Sequence, residues 1–193
     1  MAAGQQTDSN VTAAPTRPSD IIAFWSEAGP TCWFTKDEGF DRQFREAFLD
    51  THEAACRGGL DHWQRTPGGA LALVLLLDQF PRNAFRGTAR VYASDDKALE
   101  IAKAALAAGH DRHIDADLRL FLYLPFNHSE VLAEQQRCVE LCRALGDQKS
   151  LAYAIGHRDI IKRFGRFPHR NAILGRETTV EERLFLDEGG FGG

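Results

Sequence analysis

Two phrases carry most of the chain's guanidinium chemistry. LLDQFPRNAFRG occupies positions 76–87 and RFGRFPHRNAILGR occupies 163–176. Both read Phe-Pro, then Arg-Asn-Ala, then apolar residues, then Arg beside Gly, with His169 interposed in the second. Together they supply Arg82, Asn83, Arg86, Arg163, Arg166, His169, Arg170, Asn171 and Arg176. A planar guanidinium holds a carboxylate or phosphate through paired hydrogen bonds. If the phrases face each other, the arginines crowd together and need counter-charge from Asp78, from Glu130 or from a bound anion.

Asp78 lies in the last turn of an apolar run, where burial is expected. An unpaired buried carboxylate neutralises, so an arginine from either phrase is its natural partner, and a purely structural ion pair meets the same need. The stretch FLYLPFNHSEVLAEQQ (121–136) holds His128 and Glu130, a candidate general acid–base pair. The same letters also read as a helix start, with Asn127 as N-cap and Glu130 closing a capping box. In that reading His128 and Glu130, two apart, do not share a face. Gln135 interrupts an apolar stripe, and a buried amide needs partners. His157 aligns with Ala154, Ile161 and Phe164 on an inward face, where a histidine satisfied in the core is commoner than a catalyst. Neither E-x-x-H nor H-E-x-x-H occurs, and no glycine-rich phosphate loop or nucleophile elbow is present, so no metal and no cofactor is expected.

Both phrases have a local reading as well. Pro81 disfavours helical geometry in Phe80, and Gly165 suits the left-handed position after Phe164, so each phrase can stop a helix. The arginines would then answer the unpaired carbonyls of the helix ends. One or two cations would serve for that, and the surplus is what points to a site.

These residues must be held by helices. Ser19 can cap a helix that stops near Gly29 and Pro30. Thr35-Lys36-Asp37-Glu38 has the form of a capping box and opens a stripe of Phe40, Phe44 and Phe48. Residues 67–80 are apolar on every side over 70–77, which marks a buried helix; a buried strand is the rival, but Val74 is the only β-branched residue. Ser94-Asp95-Asp96 caps the next helix, with both acids near its positive end. Further helices follow over 115–124, stopping before Pro125, and over 127–145, with a stripe of Val131, Gln135, Cys138, Cys142 and Leu145. The last two span 150–164 and a short segment opened by Thr178 or Thr179. About eight helices result, with no convincing strand. Short connections make neighbours antiparallel, so the expected fold is all-α: stacked helix pairs around one buried apolar helix at 70–80. Residues 1–18 read as a disordered tail, 19–187 as a single domain, and 188–193 (GGFGG at the end) as a flexible tail.

The net charge of −4 argues against a nucleic-acid partner, although 157–176 alone carries six basic residues and one acid. The four cysteines, Cys32, Cys56, Cys138 and Cys142, lack metal-ligand spacing and read as reduced thiols in or near the core. The first twenty residues contain no apolar signal segment, and the longest apolar run is too short for a bilayer, so a cytoplasmic protein without a membrane partner is expected.

The phrases LLLDQFPRNAFRG (75–87), FLYLPFNHSE (121–130) and HRDIIKRFGRFPHRNAILGR (157–176), with Gln135, resemble the bacterial family catalogued as domain of unknown function 924. Phe24-Trp25, Trp63 and TTVEERLFL (178–186) are similar too, so the likeness covers about 20–187; Ser26 stands where members often carry a third aromatic. The resemblance implies an all-α, tetratricopeptide-like fold and no activity. It places family motif positions at Asp78, Gln79, Phe80, Arg82, Asn83, His128, Glu130, Gln135, His157, Arg163, Phe164, Gly165, Arg166, Pro168, His169, Arg170, Asn171 and Arg176.

Three functions fit. The first is a helical binding module whose Arg/His-rich concavity, formed by Asp78, Arg82, Asn83, Arg86, Gln135, Arg163, Arg166, His169, Arg170, Asn171 and Arg176, takes an acidic peptide or a small anionic metabolite. The second is an enzyme on a phosphorylated or carboxylated substrate, with His128 or His157 as acid–base and Glu130 or Asp78 as orienting partner. The third is an internal ion network that fixes helix packing.

Overall fold

A computed structural model describes residues 15–192. Most of the expected disordered tail, residues 1–14, lies outside the described residues. The described chain is all-α and contains no strand.

The first helix, α1 (Pro18–Trp33), begins two residues before expected, with Arg17 and not Ser19 as N-cap and Pro18 in the first helical position, where a missing N–H costs nothing. The helix breaks at Gly29, as expected: Gly29 takes the non-helical pair φ 67° and ψ 179°, and a short second stretch runs from Pro30 to Trp33. In α2 (Glu38–Cys56) the cap is Asp37 alone, whose side chain accepts from the N–H groups of Gly39 and Phe40. Its stripe of Phe40, Phe44 and Phe48 is buried as the spacing predicts.

The apolar segment departs most from expectation. It forms α3 (Pro67–Val74), a π turn (Leu75–Gln79) and α4 (Phe80–Ala84), one rod that runs straight past Pro81. Proline removes the donor that Leu77 O would otherwise receive. The π turn and side chains from distant segments absorb that loss. The Phe80 N–H donates to Leu75 O, His52 Nδ1–H donates to Leu76 O at 2.8 Å, and Ser94 Oγ donates to Leu77 O at 2.6 Å. From within the rod, Arg82 Nη1 donates to Asp78 O at 2.7 Å and Asn83 Nδ2 to Gln79 O at 3.0 Å. Every carbonyl from Leu75 to Gln79 therefore has a partner, so the rod can be buried. Ser94 sits at the N-cap of α5 (Asp95–Ala107) but gives its hydroxyl to the rod and not to its own helix.

The next expectation also fails. Helix α6 (Ala116–His128) passes Pro125, and α7 (Leu132–Leu145) starts only after Val131. Asn127 and His128 thus end one helix and do not begin the next. Val131 is exposed and drops out of the α7 stripe, while Gln135, Cys138 and Cys142 stay buried. The remaining helices are α8 (Gln148–Phe164), closed by Gly165 at φ 71° as predicted, and α9 (Val180–Asp187), where Thr179 and Glu182 form the capping box.

Counting α3 to α4 as one rod gives eight helices among the described residues. The rod packs against α1, α2 and α5, and α5, α6, α7 and α8 pack each on the next. Trp25, Phe44, Phe80 and Phe121 fill the main core without exposure. A second, smaller cluster joins Ile160, Ile161 and Phe167 to Phe164, Phe185 and Phe191. At the C-terminal end the Phe191 ring lies 4.5 Å from that of His157 and 5.1 Å from that of His169.

Candidate functional site

The π turn aims Asp78 out of the rod toward the end of α6. Asp78 has no exposure. His128, the last residue of α6, donates Nδ1–H to Asp78 Oδ1 at 2.6 Å, and Gln79 Nε2 donates to Asp78 Oδ2 at 2.6 Å. Arg82 Nη1 lies 3.2 Å from Asp78 Oδ1. Burial alone would raise the Asp78 carboxyl, but Arg82 and His128 outweigh it and hold it below the usual carboxylate range. Burial lowers the His128 pKa and Arg82 lowers it further, against the pull of Asp78. At neutral pH the contact is thus a carboxylate with a neutral imidazole, which fixes the tautomer and leaves Nε2 as an acceptor.

The two repeated phrases meet. Arg82 of the first donates to Asp95 with both terminal nitrogens, at 2.9 and 3.0 Å, and Arg170 of the second reaches Asp95 Oδ2 at 3.4 Å. Arg170 also donates Nη2–H to His128 O at 2.9 Å, so it caps the end of α6. Its guanidinium lies between Tyr92 and Phe167, 4.4 and 4.6 Å from their ring centres. Arg170 Nε is buried and has no hydrogen-bond partner among the described residues. Despite their shared wording, the phrases fold differently: Phe80-Pro81-Arg82-Asn83 is helical, whereas Pro168–Arg170 is a 3₁₀ turn. In each, the phenylalanine is fully buried and the arginine is delivered to Asp95.

A cavity of about 360 Å³ opens on this network. Its polar lining is Arg82, Arg86, Arg170, His128, His157, His169 and Tyr92. Val91, Phe167, Ile173 and Phe191 supply its apolar lining. His157 donates Nδ1–H to the carbonyl Tyr153 O at 2.9 Å. Burial pushes both His157 and His169 down to about 4, with the nearby cations acting in the same direction.

Several residues expected in the concavity are spent elsewhere. Gln135 closes the end of α6 by donating Nε2–H to Asn127 O and Ser129 O, each at 2.7 Å. Glu130 is held by Arg176, at 2.6 and 3.0 Å, and by the Phe167 N–H at 2.8 Å, so it does not orient a histidine. Arg166 and Asn171 both bind Glu182, and Arg163 binds Glu181, so these three fasten α9. Asn83 bonds within the rod, and Arg86 pairs with Asp41 as well as lining the cavity. Two residues were missed. Asp95 read only as a helix-end acid, although one acid would serve there and Ser94-Asp95-Asp96 offers two. Tyr92 carried no signal beyond being an aromatic in a short connection.

Among the described residues no group of three or more His, Cys, Asp or Glu side chains could hold a metal ion. None of their helices is long and apolar enough to cross a membrane.

The family model described as "Bacterial protein of unknown function (DUF924)" matches residues 21–190. The chain belongs to this family. Among solved structures, the chain is similar to a protein of unknown function from Agrobacterium tumefaciens, 53% identical, with a TM-score of 0.87, over 89% of this chain and 97% of that one. No curated protein matches. The family and its neighbour thus fix the fold, and the function has to be argued from the cavity.

Proposed function

We propose that this DUF924 protein binds a small carboxylate- or phosphate-bearing metabolite in the cavity between the rod, α6 and the 3₁₀ turn. The observation that carries this reading is that Arg82 and Arg170 both line this cavity, beside His128, His157 and His169. Asp78 and Asp95 balance the two guanidiniums, so net charge alone does not hold the anion. Unspent donors do. A guanidinium has five N–H groups; Arg170 gives Asp95 and His128 O one bond each, and its Nε is unpartnered. The cavity's size suits a small molecule and not a folded-back acidic peptide. Four free thiols without a disulfide fit a cytoplasmic setting.

The test is titration of the isotope-labelled full chain with acetate and with inorganic phosphate, followed by NMR. Resonances of Arg170, His128 and His157 should move together and saturate. If none moves at concentrations far above metabolite levels, the reading is wrong.

A second reading is favoured by Asp78 and His128. A buried carboxylate that fixes a histidine tautomer beside a cavity is the arrangement of a general base. No serine, threonine, cysteine or lysine lines the cavity, so His128 would take a proton from the substrate or from water. Its signature would be turnover lost in His128→Gln while acetate binding persists.

A further inference from the structure

The C-terminal segment places an aromatic ring in the wall of the proposed anion cavity. After α9 the backbone makes its last turn bonds at Glu188, Gly189 and Gly190, which donate to Leu184 O, Leu186 O and Phe185 O. Phe191 then makes no backbone hydrogen bond among the described residues and has glycine on both sides. It is held by its ring alone, against His157 and His169 at 4.5 and 5.1 Å between centroids. The ring is therefore carried on a segment that costs little to displace.

The cavity lining also mixes two chemistries. It holds the guanidiniums of Arg82 and Arg170 and the rings of Phe167, His157 and Phe191. We propose that Phe191 is a displaceable stand-in for the ring of an aromatic carboxylic acid. The ligand's ring would replace Phe191 against His157 and His169, and its carboxylate would take the unspent N–H groups of Arg170. The inference rests on the anion-binding reading above and adds the ligand's class and the segment that must yield to it. Flat rings pack edge-on or offset against imidazole, as Phe191 does here.

The experiment compares phenylacetate with acetate on the full chain, wild type and Phe191→Ala, by calorimetry and NMR. Phe191 is partly exposed and outside every helix, so the variant should fold as wild type does. Phenylacetate should bind wild type about tenfold or more tighter than acetate, as expected for burying a ring. Removal of Phe191 should tighten phenylacetate several-fold relative to acetate measured on the same variant, because only the aromatic acid competes with that ring. In wild type the Phe191 ring signals should move to solvent-like positions with phenylacetate and stay in place with acetate. If acetate shifts the cavity resonances but phenylacetate gains nothing, or if Phe191→Ala leaves its affinity unchanged, the ring subsite is refuted and the anion pocket stands. If neither ligand shifts them, both readings fall.

Discussion

At the residue scale, Asp95 is the keystone that the two arginine phrases share. Its side chain is 14% exposed, and those of Arg82 and Arg170 are 19% and 8% exposed. Replacing Asp95 by Ala leaves two mostly buried guanidiniums facing each other, with Asp78 as their remaining counter-charge. Breaking a buried pair from one side costs about 3–5 kcal/mol, since the stranded charge keeps its desolvation penalty. Urea denaturation of Asp95→Ala should show a loss of that size, and a loss under about 1 kcal/mol would mean water already solvates the network. Sequence reasoning reached Asp78, Arg82, His128 and Arg170 because a charge inside an apolar run announces a partner. It could not reach Asp95, because an acid at a helix start has a sufficient local explanation. It also over-collected: Arg163, Arg166 and Asn171 belong to the same phrase but point at α9.

At the scale of elements, local signals were legible and long-range ones were not. Gly165, the Phe40-Phe44-Phe48 stripe and the Thr179 box follow from residues within one or two turns, and all three stand. Pro81 and Pro125 were read as stops by the same local logic, and both are passed. For Pro81 the reason is physical: Ser94, 17 residues away, supplies Leu77 O with the bond that the proline removes, and His52, 24 residues away, supplies Leu76 O, which the π turn leaves open. No nearby residue encodes that. The helix α9 is similarly tied from afar. Glu182 is buried, and it accepts from Arg166, Asn171 and the Thr179 N–H. Glu182→Ala should release α9 while the rod holds. Hydrogen exchange would then quicken across 180–187 and stay slow across 69–80. Equal quickening of both segments would show that α9 unfolds only with the whole chain.

At the scale of the whole molecule, acid should unfold the protein in two stages. His157 and His169 titrate near 4 when folded, below the usual histidine value of 6.5. Their folded state therefore prefers the neutral ring. That contribution is fully present above pH 6.5 and is lost as pH falls from 6.5 toward 4. Its ceiling for the well-buried His157 is about 3 kcal/mol. The carboxylate of Glu182, held near 2 chiefly by the Arg166 hydrogen bonds, and that of Asp78 contribute above the ordinary carboxylate range and fail only at lower pH. Urea midpoints measured from pH 8 to 3 should thus begin to fall below about pH 6.5. The fall between 6.5 and 4 should shrink in His157→Phe if the buried ring is its cause.

The π turn has a consequence for how this chain can change length. An i to i−5 bond encloses one residue more than the helix otherwise needs. Losing one of Leu75, Leu76 or Leu77 would let the rod close into regular α-helix, and the wide turn's slack would take up the loss on the spot. Arg82 and Asn83 would keep nearly their present bearing, with every motif letter intact. In an unbroken helix the same loss would turn everything after it by about 100°. The spare residue lodged just upstream is therefore slack that lets the phrase survive a change of count.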